Sequence, residues 1–241
     1  MSIKLIDPLL ISNEDSRKQA ILKRFHPPRP EWYEKLLALF LAKGMKAYEA
    51  EVAGYKAELF SRLRGRVNKV LELGIGTGPN LKYYAGDGDV HVYGVDPNQK
   101  MEKYAQEAAV AAGLPPTNFN FIQMVGEALP ISDASMDAVV GTLVLCSVRD
   151  VNLALQEVKR VLKPGGLYIF MEHVAAQDRT ALKFLQNILD PLQQIVFDGC
   201  HLTRQTRKHI SEAGFSDVNI KMASVPTFFH IRPHIYGTAR K

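Results

Sequence analysis

Short apolar runs alternate with amphipathic segments along most of the chain, and this alternation predicts most of its elements. From residue 67 onward, runs such as "VNKVLELG" and "VHVYGVD" are separated by segments whose apolar residues repeat at helical spacing. Strands that alternate with helices in this way indicate an α/β fold with a mainly parallel sheet. The pattern predicts seven strands, at residues 67–74, 90–96, 118–126, 136–148, 167–174, 218–224 and 234–240.

Local signals mark the ends of the predicted helices. Side chains that accept a hydrogen bond from the first turn favour a helix start, and glycine favours a helix end. Asn98 and Asp150 are such capping residues, and Gly113 ends the first of the two helices. One helix is predicted to start at Pro79–Asn80. Four further helices are predicted at about 98–112, 151–162, 179–197 and from Thr203 to Gly214.

The N-terminal part of the chain has a different pattern. The sequence "HPPRP" at 26–30 predicts a rigid break between two helical pieces, and the residues from 31 to about 60 are mostly helical in pattern. Sixty residues with such a break form only a marginal core of their own. We therefore interpret residues 1–66 as a helical cap or lid on one end of the sheet, and residues 67–241 as the main domain.

The charge of the chain is concentrated in this N-terminal cap. Residues 1–66 contain 13 Lys and Arg against 8 Asp and Glu, whereas residues 67–241 contain 17 of each, so the net charge of +5 lies wholly in the cap. Such a basic segment is either a solvated helical face or a peripheral contact with an anionic membrane surface. Basic and aromatic residues do not interleave as in RNA-binding segments, so nucleic acid is not an expected partner.

Cysteine content and hydropathy favour a cytoplasmic location. No apolar stretch approaches the roughly 18 residues that a membrane span needs, and no secretory signal is visible. Two cysteines, Cys146 and Cys200, cannot form a disulfide scaffold, which suggests a reducing compartment. Neither cysteine has neighbours at zinc-site spacing, so we expect no metal.

Three glycines follow the first predicted strand, in "VLELGIGTGPN" at 70–80. In a doubly wound sheet the ligand site lies at the carboxyl ends of the strands, where the first strand-to-helix turn presents backbone N–H groups. Gly74, Gly76 and Gly78 would allow a tight turn and admit a nucleoside against the main chain. The turn is therefore a candidate cofactor site.

The residues around the turn select the ligand. Asp96 ends the second strand 22 residues after Gly74, where a carboxylate would hold a ribose diol. The Walker lysine is missing, so a P-loop is excluded, and Pro79 breaks the spacing of dinucleotide-binding turns, which makes a phosphate cradle a poor alternative. Glu72 would repel phosphate and attract a cation. A nucleoside with a positive sulfonium fits this set, and the expected cofactor is S-adenosyl-L-methionine.

Four motifs resemble those of Rossmann-type S-adenosylmethionine-dependent methyltransferases. They are "ELGIGTG", "GVDPNQKM", "GEALPISDASMDAVV" and "EVKRVLKPGG", within residues 67–172. The resemblance implies a Rossmann-like, seven-stranded doubly wound sheet with an antiparallel last strand. It implies contacts to the methionine part from Glu72, Gly74, Gly76 and Gly78, to the ribose from Asp96, to the adenosine from Pro97, Met101, Glu127 and Ala128, and closure of the site by Thr142 and Leu143.

A narrower similarity extends to the C-terminus. "GTLVLCSV", "FMEHVAA", "DPLQQIVFDGCHLTR" and "IRPHIYG" are similar to the methyltransferase-like 7 family, whose animal members methylate small thiols and carry an apolar N-terminal anchor. This chain departs from the family at the anchor, because its leader is basic and broken by prolines. The similarity implies S-methylation of a small molecule, with S-adenosyl-L-homocysteine as the second product.

Methyl transfer to a thiol needs a thiolate placed about 3–3.5 Å from the methyl carbon. His173, at the end of the fifth predicted strand, is the first candidate for the base that takes the thiol proton. Asp198 and His201, in "FDGCH", are candidates to orient it or relay the proton. Each of the three residues also has a purely structural interpretation.

Two other functions remain open from the sequence. An N-, O- or C-methyltransferase of a lipophilic or aromatic metabolite would have the same core, because the lid selects the acceptor. A cofactor-binding scaffold at a membrane surface, without catalysis, is the non-enzyme alternative.

Overall fold

The computed structural model describes residues 8–84, 86 and 90–241, with side chains from residue 15 onward. Its centre is one seven-stranded sheet with the order β3-β2-β1-β4-β5-β7-β6, in which β7 is antiparallel to both neighbours and the other pairs are parallel. The predicted doubly wound sheet with an antiparallel last strand is confirmed. The strands are β1 (Lys69–Leu73), β2 (His91–Asp96), β3 (Phe119–Gln123), β4 (Met136–Thr142), β5 (Leu162–His173), β6 (Asp217–Ser224) and β7 (Pro233–Arg240).

Helices cover both faces of this sheet, and three of them precede it. The break at 26–30 separates the first two, as the sequence predicts. In the part of the chain that the structure describes, no helix is both long enough and apolar enough to cross a bilayer. The helices are α1 (Pro8–Phe25), α2 (Glu31–Gly44), α3 (Lys46–Ser61), α4 (Met101–Ala111), α5 (Val151–Val161), α6 (Ala181–Val196) and α7 (Thr206–Glu212).

The sheet separates two hydrophobic cores. On β1, Val70 faces the core that contains residues of α3 and α4, and Leu71 faces the core that contains α5. Both side chains are fully buried, as expected for a parallel strand that is covered on both faces. The helical repeat predicted for α5 is confirmed, because Leu155 and Val158 pack into the second core.

Two predicted elements, the helix after the glycine turn and the fourth strand, are shorter than the sequence predicts. The helix predicted to start at Pro79–Asn80 is only a 3₁₀ turn, Leu81–Tyr83, and the Asn80 amide points inward to Glu72 instead of capping it. The fourth strand ends at Thr142 rather than residue 148, because Leu143 adopts a left-handed φ of +54° and begins a turn.

Other predicted boundaries shift for equally local reasons. Thr203 is not a helix cap, because its N–H and hydroxyl both donate to Asp190, and α7 begins at Thr206. Asn98 accepts from the Lys100 N–H two residues on, so α4 starts at Met101. The third strand ends at Gln123 rather than residue 126. The "KPGG" segment at 163–166 lies within β5.

Candidate active site

At three positions of the glycine turn after β1, the backbone has the left-handed conformation that glycine adopts readily and other residues do not. Gly74, Gly76 and Gly78 have φ of +61°, +52° and +77°. A Cβ on Gly74 would lie 2.7 Å from Val144 Cγ2, and one on Gly78 would lie 2.6 Å from Leu81 Cδ1, whereas a Cβ on Gly76 would meet nothing closer than 4.0 Å. Gly74 and Gly78 therefore allow close packing, while Gly76 leaves open space beside the backbone.

Asp96, at the end of β2, closes the turn from the next strand. Its Oδ2 accepts from the Gly76 N–H at 3.0 Å and its Oδ1 accepts from the Asn98 N–H at 2.9 Å. Burial raises the pKa of Asp96 to about 6, although the two backbone donors oppose this shift. Each oxygen keeps a lone pair for a further donor, such as a ribose hydroxyl.

Glu72 lies beneath the turn rather than in the site. It is 1% exposed, and its two oxygens accept from Asn80 Nδ2 at 2.6 Å and Tyr84 OH at 3.0 Å. Asn80 Nδ2 also donates to Thr142 Oγ1 at 2.9 Å. Burial raises the pKa of Glu72 to about 7. Glu72 thus positions Asn80, and through it the end of β4.

A continuous cavity of about 290 Å³ extends from this turn towards the ends of β4 and β5. Most of its lining is apolar, and α2 contributes Leu37, Phe40 and Leu41 from the N-terminal cap. Phe40 packs edge-on against Phe197, with ring centroids 5.6 Å apart, so the cap and the segment after α6 close the cavity together.

The structure brings ten of the fourteen predicted site residues into this cavity. Glu72, Gly78, Ala128 and His201 are not in its lining. Glu127 lines it, but its Oε1 is already engaged by the backbone N–H groups of Arg149 and Asp150, at 2.6 and 3.1 Å. The predicted residues that line the cavity are Gly74, Gly76, Asp96, Pro97, Met101, Glu127, Thr142, Leu143, His173 and Asp198.

Asp198 connects the N-terminal cap to the cavity. Its Oδ2 lies 2.7 Å from His26 Nε2, and its backbone N–H donates to Tyr33 OH at 2.9 Å. Asp198 has a left-handed φ of +50°, in the tight turn after α6. Among the described residues, the partners of the Asp198 carboxylate are His26 and Arg29 of the N-terminal cap. No described contact joins the carboxylate to His173, so the predicted proton relay has no support from the geometry.

His201 lies outside the cavity. Its Nδ1 is 3.5 Å from Asp190 Oδ2, and the side chain lines a separate surface depression. Its predicted role beside His173 therefore has no geometric support in the described part of the chain.

His173 forms a buried cluster with the two cysteines. His173 Nε2 lies 3.1 Å from Cys200 Sγ, and one ligand atom each from His173, Cys146 and Cys200 all lie within 4.8 Å of one another. Gln193 Nε2 also points at Cys200 Sγ, at 3.6 Å. His173 Nδ1 has no hydrogen-bond partner among the described residues. The three side chains line the cavity on the side of β4 and β5, which the strand order places beyond β1 and its glycine turn.

The cluster shifts the acidity of its members. The neighbouring Cys146 thiol lowers the pKa of Cys200, whereas the same contact and burial raise the pKa of Cys146 well above its ordinary value. Burial opposes the charged form of His173, but the charges of Cys146 and Glu172 outweigh it, and its pKa is raised. The sulfur of Cys200 is therefore the more acidic of the two.

Two polar residues of α3 also line the cavity, although no motif predicts them. Lys56 is 2% exposed, and its Nζ contacts Glu49 Oε1 at 2.9 Å and Oε2 at 2.8 Å. One signal does exist in the sequence. Lys56 falls on the helical stripe that Tyr48, Val52 and Leu59 bury, where a lysine is out of place unless it has a partner.

Comparison with known proteins gives consistent results. A methyltransferase-domain family model matches residues 71–170. The chain is 39% identical to thiol S-methyltransferase TMT1A of Homo sapiens over 86% of this chain and 87% of that protein. It is 40% identical to thiol S-methyltransferase TMT1B of Rattus norvegicus, over 92% and 91%.

A solved structure supports the fold alone. An S-adenosylmethionine-dependent methyltransferase from Aquifex aeolicus superimposes with a TM-score of 0.60 at 18% identity, over 86% of this chain and 97% of that one.

Proposed function

The chain belongs to the thiol S-methyltransferase family and is an S-adenosylmethionine-dependent methyltransferase, and we propose that it methylates the sulfur of a small apolar thiol. The observation that carries the proposal is the continuous cavity that joins the glycine turn to the buried cluster of Cys146, His173 and Cys200. The end at the glycine turn suits a nucleoside cofactor. The other end would surround the acceptor sulfur with two cysteine thiols and an imidazole.

The donor set at the first end suits S-adenosyl-L-methionine, which supplies a methyl group on a positively charged sulfur. Asp96 would hold the ribose diol through its free lone pairs. Lys56 has three N–H donors, of which the Glu49 carboxylate takes two, so one donor remains for the carboxylate of the methionine part. The anionic Glu49 would in turn favour the ammonium group of that part.

The acceptor end of the cavity selects for apolar molecules. Phe197, Phe228 and Ile231 line it together with the α2 residues Phe40 and Leu41. A strongly charged acceptor would lose its hydration there without gaining a partner, which costs several kcal/mol on the order-of-magnitude scale for burying a charge. A small apolar thiol loses little on entering.

Exclusion of water is the other contribution of the protein. The cap residue His26 is bonded to Asp198, and Phe40 packs on Phe197, so residues 1–66 act as a lid in this proposal. A mostly apolar cavity raises the reactivity of a thiolate by removing much of its hydration shell and by holding it in line with the methyl group.

The test is a transfer assay with radiolabelled methyl groups and a matched panel of apolar thiols, amines and phenols of equal size. We expect the thiols to be methylated, with the product identified as a thioether by mass spectrometry. The rate should rise with pH as the acceptor thiol ionises, because the thiolate is the nucleophile. Preferential methylation of the amines or phenols would replace this proposal with an N- or O-methyltransferase.

A further inference from the structure

Three soft ligand atoms meet at the acceptor end of the cavity, and they come from three separate parts of the chain. Cys146 follows β4, His173 ends β5, and Cys200 follows α6. All three side chains are buried, at 2%, 2% and 7% exposure. Because no short spacing links them, the sequence predicts no metal site, and only the fold assembles the cluster.

The spacing of these atoms suits a metal ion. In four-coordinate zinc sites the metal lies about 2.3 Å from sulfur and about 2.0–2.1 Å from a histidine nitrogen, which puts the ligand atoms roughly 3.5–3.8 Å apart. In the structure, His173 Nε2 is 3.1 Å from Cys200 Sγ, and all three atoms lie within 4.8 Å of one another. Shifts of up to about 1 Å between these atoms would complete three corners of a tetrahedron.

We infer that Cys146, His173 and Cys200 bind a divalent zinc ion whose fourth position is open to the cavity and takes the sulfur of the acceptor thiol. Two thiolates and one imidazole form a soft ligand set that favours zinc over magnesium or calcium. Three protein ligands with one open position are the pattern of catalytic rather than structural zinc sites. This inference rests on the proposed thiol acceptor, and it makes His173 a ligand instead of the base.

The charges around the site are consistent with the ion. Zinc with two thiolates and a neutral imidazole carries no net charge, and a third thiolate makes it singly negative. Arg204 lies close enough to both cysteines for their charges to interact, and its Nη1 donates to the carbonyl oxygens of Leu145 and Val148 at 2.7 and 2.6 Å. Its guanidinium and the sulfonium of the cofactor would both balance the bound thiolate.

The reaction balances without any further reagent. The acceptor R–SH coordinates through sulfur and releases its proton to solvent, because a thiol that coordinates zinc is deprotonated. The thiolate sulfur then attacks the methyl carbon, and the electron pair of the breaking carbon–sulfur bond stays on the cofactor sulfur. The neutral thioether that results is a weaker ligand than the thiolate, so it leaves the ion.

Metal binding is tested with the reduced, metal-free full-length protein. We expect Co²⁺ to bind with one equivalent per chain, to give the thiolate-to-metal charge-transfer bands of a sulfur-rich tetrahedral site, and to be displaced by Zn²⁺. Addition of an apolar thiol should shift these bands, and the matching alcohol should not. This measurement uses the unmodified chain, so it does not depend on whether any variant folds.

Variants then locate the site. Cys146→Ser, Cys200→Ser and His173→Asn should each lose the stoichiometric Co²⁺ spectrum while they still bind S-adenosylhomocysteine. His209→Asn is the matched control, because His209 is a histidine of α7 that contacts Asn152 and lies outside the cavity. Circular dichroism of each variant separates loss of the ligand from loss of the fold.

Activity separates this inference from the proposed function. Removal of the metal should abolish thiol methylation and leave S-adenosylhomocysteine binding intact, and Zn²⁺ should restore the rate. If thiols are methylated at the full rate by protein that binds neither Co²⁺ nor Zn²⁺, the metal site is wrong and the thiol acceptor stands. If the ion binds but only amines or phenols are methylated, the thiol acceptor is wrong, and with it the role of the ion.

Discussion

Replacement of Lys56 by methionine tests the proposed contact between α3 and the amino-acid part of the cofactor. Methionine has a similar length and no charge, so Lys56→Met removes the ammonium and keeps most of the packing in α3. The side chain is 2% exposed, and its ion-pair partner among the described residues is Glu49. We expect weaker binding of any ligand that carries the amino-acid carboxylate.

The size of the effect follows from the buried position. A hydrogen bond to a charged group contributes about 1.5–3 kcal/mol, which corresponds to a loss of roughly 10- to 150-fold in affinity for S-adenosylhomocysteine. The variant also leaves Glu49, whose side chain is 18% exposed, without its counter-ion and adds a negative charge near the amino-acid part of the ligand. The upper part of this range is therefore the expected value.

The assay is calorimetric titration with S-adenosylhomocysteine and with 5′-methylthioadenosine, which has the same nucleoside but no amino-acid group. Affinity for the second ligand should change by less than about twofold, because it makes no contact with the ammonium. Lys221→Met is the matched control, since Lys221 forms a surface ion pair with Glu58 and is far more exposed. Thermal denaturation reports any loss of fold.

Two results would refute the reasoning. An equal loss for both ligands would mean that Lys56 acts through the shape of the cavity. No loss for either ligand would mean that the ammonium does not face the amino-acid group at all.

The remaining predictions concern the ribose site, its pH dependence, a helix cap and the basic cap segment. Asp96→Asn should weaken both nucleoside ligands about 10- to 150-fold, because it replaces a charged acceptor of the diol, and calorimetry would contradict this with an unchanged affinity. In the folded protein the pKa of Asp96 is raised to about 6. The stability that Asp96 contributes to the ligand-free protein is therefore fully present below its unfolded pKa and is lost as the pH rises through 6. Nucleoside affinity should instead improve from about pH 5 to 7, because the carboxyl group ionises over this range. That improvement should be absent from Asp96→Asn; its persistence there would assign it to another group. Asp150→Ala removes the cap bond to the Leu153 N–H and should cost about 1 kcal/mol, or roughly 2–4 °C in Tm, while Asp150→Asn should cost less. The basic excess of residues 1–66 predicts co-sedimentation with anionic vesicles that weakens with salt, and equal binding to neutral vesicles would contradict it.

Local patterns were sufficient for the architecture and for one half of the cavity. The strands follow from apolar runs of a few residues, and parallel strands in a doubly wound sheet necessarily bring their carboxyl ends to one edge. The turn around Gly76 and the carboxylate of Asp96 therefore had to meet once the order of strands was known, and they do, at 3.0 Å.

The other half of the cavity depends on side-chain packing between distant segments. His173, Cys146 and Cys200 approach one another only because β4 and β5 are in register and the turn after α6 folds back over them. Lys56 reaches the cavity only because α3 packs on this end of the sheet. Neither arrangement can be recognised from a repeating pattern in the sequence, because each contact joins residues that are far apart along the chain.

The same distinction explains why two predicted helix starts are wrong. Asn80 and Thr203 have the sequence context of helix starts, but the stronger partners Glu72 and Asp190 are supplied by tertiary contacts. The sequence alone thus determined the fold and brought the glycine turn and Asp96 to one edge of the sheet, because these follow from short-range periodicity and strand order. Only the tertiary structure decided which polar side chains face the cavity, because burial and pairing depend on how distant segments pack.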